Sequence, residues 1–99
     1  MKICICDDEK DFIHNFQLLL KQYSKKHKNI NQFNSFENEN DLLSYFYSQN
    51  DIDILFLDIK FQTYSGIEIA EKIRAINPSV ILIFLTAFPE YALSGYKVK

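Results

Sequence analysis

Three apolar runs in this chain end abruptly on polar side chains. Ile3-Cys4-Ile5-Cys6 gives way to Asp7-Asp8, Ile54-Leu55-Phe56-Leu57 to Asp58, and Val80-Ile81-Leu82-Ile83-Phe84-Leu85 to Thr86-Ala87. Carboxylates brought together repel and raise one another's pKa, so a cluster of them is best tolerated around a cation. An all-oxygen donor set with room for waters suits Mg²⁺, which takes one or two carboxylates, several waters and substrate phosphate. With its charge screened in this way, Asp58 offers an oxygen that can attack phosphorus, a carboxylate acting as nucleophile. Thr86 supplies a hydroxyl that can hydrogen-bond the transferred group. The plainer reading makes Asp7-Asp8 a cap for a helix and Asp58 a cap for a turn. Each acid alone fits that reading, but three acids at the ends of buried strands point to a shared site.

These residues meet only if the intervening elements bring them to one edge. Lys2–Cys6 reads as a strand buried on both faces. A helix follows from Asp11 to about Lys26, with Phe12, Phe16, Leu19, Leu20 and Tyr23 as its apolar stripe. Asn29–Phe36 alternates imperfectly and reads as an edge strand. Ser35 is the expected cap of the next short helix, with Asn38 in the place of the usual glutamate. That helix carries Leu42, Leu43, Phe46 and Tyr47. Asp53–Leu57 is a second buried strand and Ile59–Ser65 a loop. Gly66 to about Ile76 is a helix with Ile69, Ala70, Ile73 and Ile76 inward, ended by Asn77-Pro78. Val80–Leu85 is a third buried strand, and Pro89 can open a last helix from Glu90 to about Ser94.

Strands alternating with helices imply an α/β fold with a parallel sheet and right-handed crossovers. A flavodoxin-like, doubly wound sheet of strand order 2-1-3-4 makes the first and third strands neighbours. Their carboxyl ends then form the crevice where such sheets bind ligands, with Asp7, Asp8 and Asp58 inside it.

The 99 residues suffice for one small domain, and 47% hydrophobic residues, 15% of all residues being aromatic, can fill its core. A formal charge of −2 offers no general attraction to nucleic acid or anionic lipid. No apolar run nears the ~20 residues of a membrane span. Cys4 and Cys6 share one face of a strand, cannot form an ordinary disulfide, and read as buried thiols in a reducing cytoplasm. His14 and His27 read as surface or helix-end residues, and Lys25-Lys26-His27-Lys28 as a solvated run. Phe12, Phe16, Phe33, Phe36, Phe46 and Phe56 read as core.

The acidic pair after the first strand, Asp58 after the third, Gly66 eight residues on and Thr86-Ala87 after the fourth resemble the receiver domain of two-component response regulators. Glu68, Ala70 and Lys72-Ile73-Arg74 fit the same likeness, which covers essentially residues 1–99. The tail, Leu85 to Leu93 with Gly95-Tyr96, is similar to receivers that precede a LytTR-type DNA-binding domain.

The resemblance implies a role for each site residue. Asp58 accepts a phosphoryl group from a phosphohistidine on a sensor histidine kinase. Asp8 binds Mg²⁺ directly, Asp7 chiefly through water, and the backbone carbonyl of Lys60 is a further ligand. Thr86 is the switch hydroxyl. At most, the domain catalyses its own phosphorylation and dephosphorylation, in the cytoplasm, and controls a transcriptional output module. Two departures stand out. Gln62 occupies a position usually held by proline. The lysine that ends the family's fifth strand has no counterpart, because the chain stops first, and Lys97 and Lys99 do not take its place. The expectation is a receiver with its fifth strand and helix missing, self-associating as a homodimer or swapped oligomer through the exposed edge of the fourth strand. Two other readings use the same residues. One is a non-phosphorylated interaction module. The other is an aspartate-nucleophile phosphatase, which Lys60 disfavours by standing where that chemistry needs a second acid.

Overall fold

A computed structural model of the chain describes residues 1–27, 29–49, 51–58 and 66–85. The elements run β1 (Lys2–Cys6), α1 (Lys10–His27), β2 (Gln32–Phe36), α2 (Glu39–Ser48), β3 (Ile54–Asp58), α3 (Gly66–Ile76) and β4 (Ile81–Leu85). All four strands are parallel, in the order β2-β1-β3-β4 expected of a flavodoxin-like sheet. The expected loop over Ile59–Ser65 and helix over Glu90–Ser94 lie outside the described residues.

Strand alternation divides the apolar side chains between the two faces of the sheet. Cys4, Cys6, Leu55, Leu57 and Leu82 face α2 and α3. There they form one core with Leu42, Phe46, Ile69, Ala70 and Ile73. Both thiols are fully buried and unpaired, and burial pushes the Cys4 pKa up to about 12 and that of Cys6 higher still. On the opposite face, Phe16 of α1 reaches across to Phe56 of β3 (ring centroids 4.6 Å apart) and Phe33 of β2 (6.3 Å). Asn77 closes the α3–β4 turn: its buried carboxamide oxygen accepts from the amides of Ser79 and Val80, and its nitrogen donates to the Ile52 carbonyl. That is how Asn77-Pro78 ends α3.

The structure revises several local expectations. β2 begins at Gln32 rather than Asn29, and Asp58 is the last residue of β3 rather than the first beyond it. Asn38, not Ser35, caps α2. Its side-chain oxygen accepts from the Asp41 amide at 2.9 Å, and its side-chain nitrogen donates to the Asp41 carboxylate at 3.0 Å. Ser35 remains in β2, paired with Ile5, so the cap falls three residues later than the sequence suggested. In α1 only Ile13 is buried, while Phe12, Leu19 and Tyr23 are exposed. In α2, Leu42 and Phe46 are fully buried, but Tyr47 lies far enough around the helix to be solvated.

Candidate metal and phosphoryl site

Asp7 leaves β1 tied to the neighbouring strand, because its amide donates to the Phe36 carbonyl at the end of β2 (3.0 Å). Its carboxylate turns back to accept the Glu9 amide at 2.9 Å, which leads the chain into α1. The bond is an Asx turn just ahead of α1 rather than the helix cap the plainer reading expected, since Glu9 precedes the first helical residue, Lys10. Asp58 closes β3. Cys6 and Leu57 are register partners in the adjacent strands, so Asp7 and Asp58 occupy the next step of the β1–β3 ladder. One oxygen each from Asp7, Asp8 and Asp58 lie within 4.8 Å of one another. Asp7 is buried, Asp58 half-buried and Asp8 exposed. The cluster thus has a dry floor and a wet mouth.

The electrostatics carry the cost of that floor. The Asp7 carboxyl is pushed up to about 6, mainly by burial and in smaller part by the charges on Asp58 and Asp8, against the pull of the Glu9 amide that it accepts from. The Cys6 thiol beneath is raised mainly by burial, then by the charges on Glu39, Asp7 and Asp58. The donors are all hard oxygens. Three carboxylate oxygens within 4.8 Å of one another suit a small hard divalent cation, and Asp7, Asp8 and Asp58 are the side chains that could hold one.

Thr86 and Lys60 lie outside the described residues. The chain reaches Thr86 directly from Leu85, the register partner of Asp58. His14 and His27 take no part in the cluster. His14 lines a separate open groove of about 310 Å³ with Lys10, Gln17, Glu37 and Asp41, and His27 stacks on Tyr23. The sequence reading passed over two residues that shape this end of the sheet. Phe36 positions Asp7 through its carbonyl, and Glu39, buried in the first turn of α2, adds negative charge near Cys6. Placing the cap at Asn38 would have flagged Glu39 as the first residue of the helix.

The profile of the response regulator receiver domain family matches residues 3–98. The chain therefore belongs to that family. Among curated relatives, it is 33% identical to the sensory transduction protein LytR of Staphylococcus epidermidis, over 99% of this chain and 37% of that protein. It is 28% identical to the transcriptional regulatory protein YpdB of Escherichia coli, over 100% and 38% respectively. The chain thus spans well under half the length of these relatives. A receiver domain protein from Clostridium thermocellum superposes with a TM-score of 0.80 at 26% identity, over 97% of this chain and 74% of that one. The Thermotoga maritima response regulator TrrA, solved in complex with Mg²⁺ and BeF, is 32% identical with a TM-score of 0.66, over 91% and 72%.

Proposed function

We propose that residues 1–99 form a receiver unit that takes a phosphoryl group from a sensor histidine kinase onto Asp58. The observation that carries this reading is the convergence of Asp7, Asp8 and Asp58 within 4.8 Å at the ends of two adjacent strands. In the transfer, the P–N bond of a phosphohistidine breaks as a bond forms from an Asp58 carboxylate oxygen to phosphorus. Bound Mg²⁺ would neutralise charge on the phosphoryl oxygens. Asp8, at the open mouth, would bind the cation directly and Asp7 chiefly through water, with Asp58 and the Lys60 carbonyl as further ligands. Thr86 hydrogen-bonds the new phosphoryl group and acts as the switch.

The relatives named as sensory transduction and transcriptional regulatory proteins support an output that is a transcriptional module, of LytTR type, outside residues 1–99. The domain itself makes no nucleic-acid contact. No helix among the described residues is long and apolar enough to cross a membrane, and a cytoplasmic location suits both the free thiols and a kinase partner. β4 is the last strand of the described sheet, and its edge supports self-association.

Incubation with acetyl phosphate and Mg²⁺, followed by intact-mass measurement, tests the central claim. The expected result is a gain of one phosphoryl group, absent from Asp58→Asn. A folded wild-type protein that gains none overturns the reading, and an adduct that survives Asp58→Asn moves the site elsewhere.

A further inference from the structure

β2 is the least apolar strand of the described sheet. Its alternate residues Gln32, Asn34 and Phe36 share the α2 face, while Phe33 turns to Phe16 on the other face. No β2 residue is fully buried, so apolar burial alone holds the strand weakly. One side chain of α2 reaches all three of the alternate residues. The Tyr45 hydroxyl accepts from Gln32 Nε2 at 2.8 Å and donates to Asn34 Oδ1 at 3.2 Å. Gln32 Nε2 also donates to Asn34 Oδ1 at 2.7 Å. The three groups close a triangle in which every donor has an acceptor. The Tyr45 ring packs on Phe36, with centroids 5.1 Å apart.

From Phe36 the contacts run into the acid cluster. The Phe36 carbonyl accepts from the Asp7 amide at 3.0 Å. Two residues on, the Asn38 carbonyl accepts from the Cys6 thiol at 3.7 Å, and Asn38 caps the helix that carries Tyr45. These contacts form a closed circuit. Asp7 and Phe36 join β1 to β2, Tyr45 joins β2 to α2, and Asn38 and Cys6 join α2 back to β1. We propose that Tyr45 is a positioning residue for the acid cluster, holding Gln32, Asn34 and Phe36 so that the Phe36 carbonyl keeps Asp7 in place to help bind a cation. The proposal rests on the cation reading given above and adds a residue to it. Gln32 and Asn34 pair with Lys2 and Cys4 of β1, so the two bonds to the hydroxyl keep β2 flush with β1 up to the step where Cys6 meets Phe36. Without them, the carboxamides of β2 lose their anchor on α2, and the Phe36 carbonyl is free to drift from the Asp7 amide. A group that only stabilises the fold acts differently: its loss lowers the folded fraction, but the folded molecule binds the cation as before.

Mg²⁺ titration of the whole chain, followed by NMR of its backbone amides, tests this with two variants. Tyr45→Phe removes the hydroxyl and keeps the ring on Phe36, so the fold survives. Tyr47→Phe removes the hydroxyl of a solvated tyrosine on the same helix. In Tyr45→Phe without metal, the Asp7 amide proton is expected to move upfield as its bond to Phe36 lengthens. The Mg²⁺ dissociation constant of the same variant is expected to rise about threefold to tenfold, less than for loss of a group bonded directly to a ligand. Tyr47→Phe is expected to leave the Asp7 amide in place and the dissociation constant within about twofold. An unchanged Mg²⁺ affinity in Tyr45→Phe overturns the proposal, whether or not the Asp7 amide moves, and leaves the hydroxyl a purely stabilising group. A wild-type protein that takes up no Mg²⁺ overturns the cation reading and this role for Tyr45 with it. The Asp7 amide in metal-free Tyr45→Phe then still reports whether Tyr45 holds the Phe36 carbonyl, which separates the two failures.

Discussion

The carboxylates of Asp7 and Asp58 face each other from the ends of adjacent parallel strands, with Asp8 completing a triangle no wider than 4.8 Å. The buried member, Asp7, takes the strain of this arrangement and is pushed up to about 6 by burial and by its neighbours' charge. Without a cation, the folded chain holds three carboxylates close together at one end of the sheet.

Stability without metal therefore depends on pH in a defined direction. Asp7 binds its proton more tightly folded (about 6) than at its ordinary value of 3.8. Between those values the folded state carries the extra proton, so stability falls as pH rises from about 4 to 6 and is flat above. Asp7→Asn is expected to flatten that slope and to stabilise the metal-free protein at pH 7 by about 1–3 kcal/mol. Urea unfolding across the pH range measures both effects.

Mg²⁺ is expected to offset the penalty. A tenfold excess over its dissociation constant is expected to add about 1.4 kcal/mol to stability. Asp8→Ala, at an exposed position, leaves the metal-free protein within about 0.5 kcal/mol of wild type but abolishes the gain. Unfolding with Mg²⁺ or with KCl at matched ionic strength separates cation binding from screening.

The cap assignment is testable on its own. Asn38→Ala is expected to cost about 1 kcal/mol through the lost Asp41 amide partner. Ser35→Ala, on the exposed side of β2, is expected to change stability by less than about 0.5 kcal/mol. Equal effects from the two would restore Ser35 as the cap.

Phe46 is fully buried between α2 and the sheet. Phe46→Ala is expected to cost about 3–5 kcal/mol, a large share of a small domain's stability. Tyr47→Ala, next in sequence but solvated, is expected to cost under about 0.5 kcal/mol. Chemical denaturation of the pair reads the inward face of α2 directly.

Much of this was legible in the chain itself. Runs such as Ile3–Cys6 and Ile54–Leu57 are apolar on both faces, which only a covered parallel sheet accommodates, and each delivers its acid to the same end. The α1 stripe was legible as apolar, but its partner was not. Periodicity says which side chains share a face, while what lies against that face depends on distant strands, so Phe12, which reads as core, is exposed, as are Leu19 and Tyr23 on the same stripe. The capping residue turned on where β2 ends. Ser35 and Asn38 both start plausible capping patterns, and the pairing of β2 with β1 through Phe36 decides between them. The raised Asp7 carboxyl was foreseeable in direction from the acid cluster, but its main cause, burial, required the fold.

The amide of Asp7 hangs from the carbonyl of Phe36, at the end of the most polar strand in the sheet. If the acids bind a cation, part of the binding energy would be shared with β2 through this bond, and by reciprocity whatever loosens β2 would weaken the grip on the cation. The outer strand, which contributes no side chain to the acid cluster, would then act as a tensioner for it, and the slowing of amide exchange at Asp7 and along Gln32–Phe36 on adding Mg²⁺ would read out that tension.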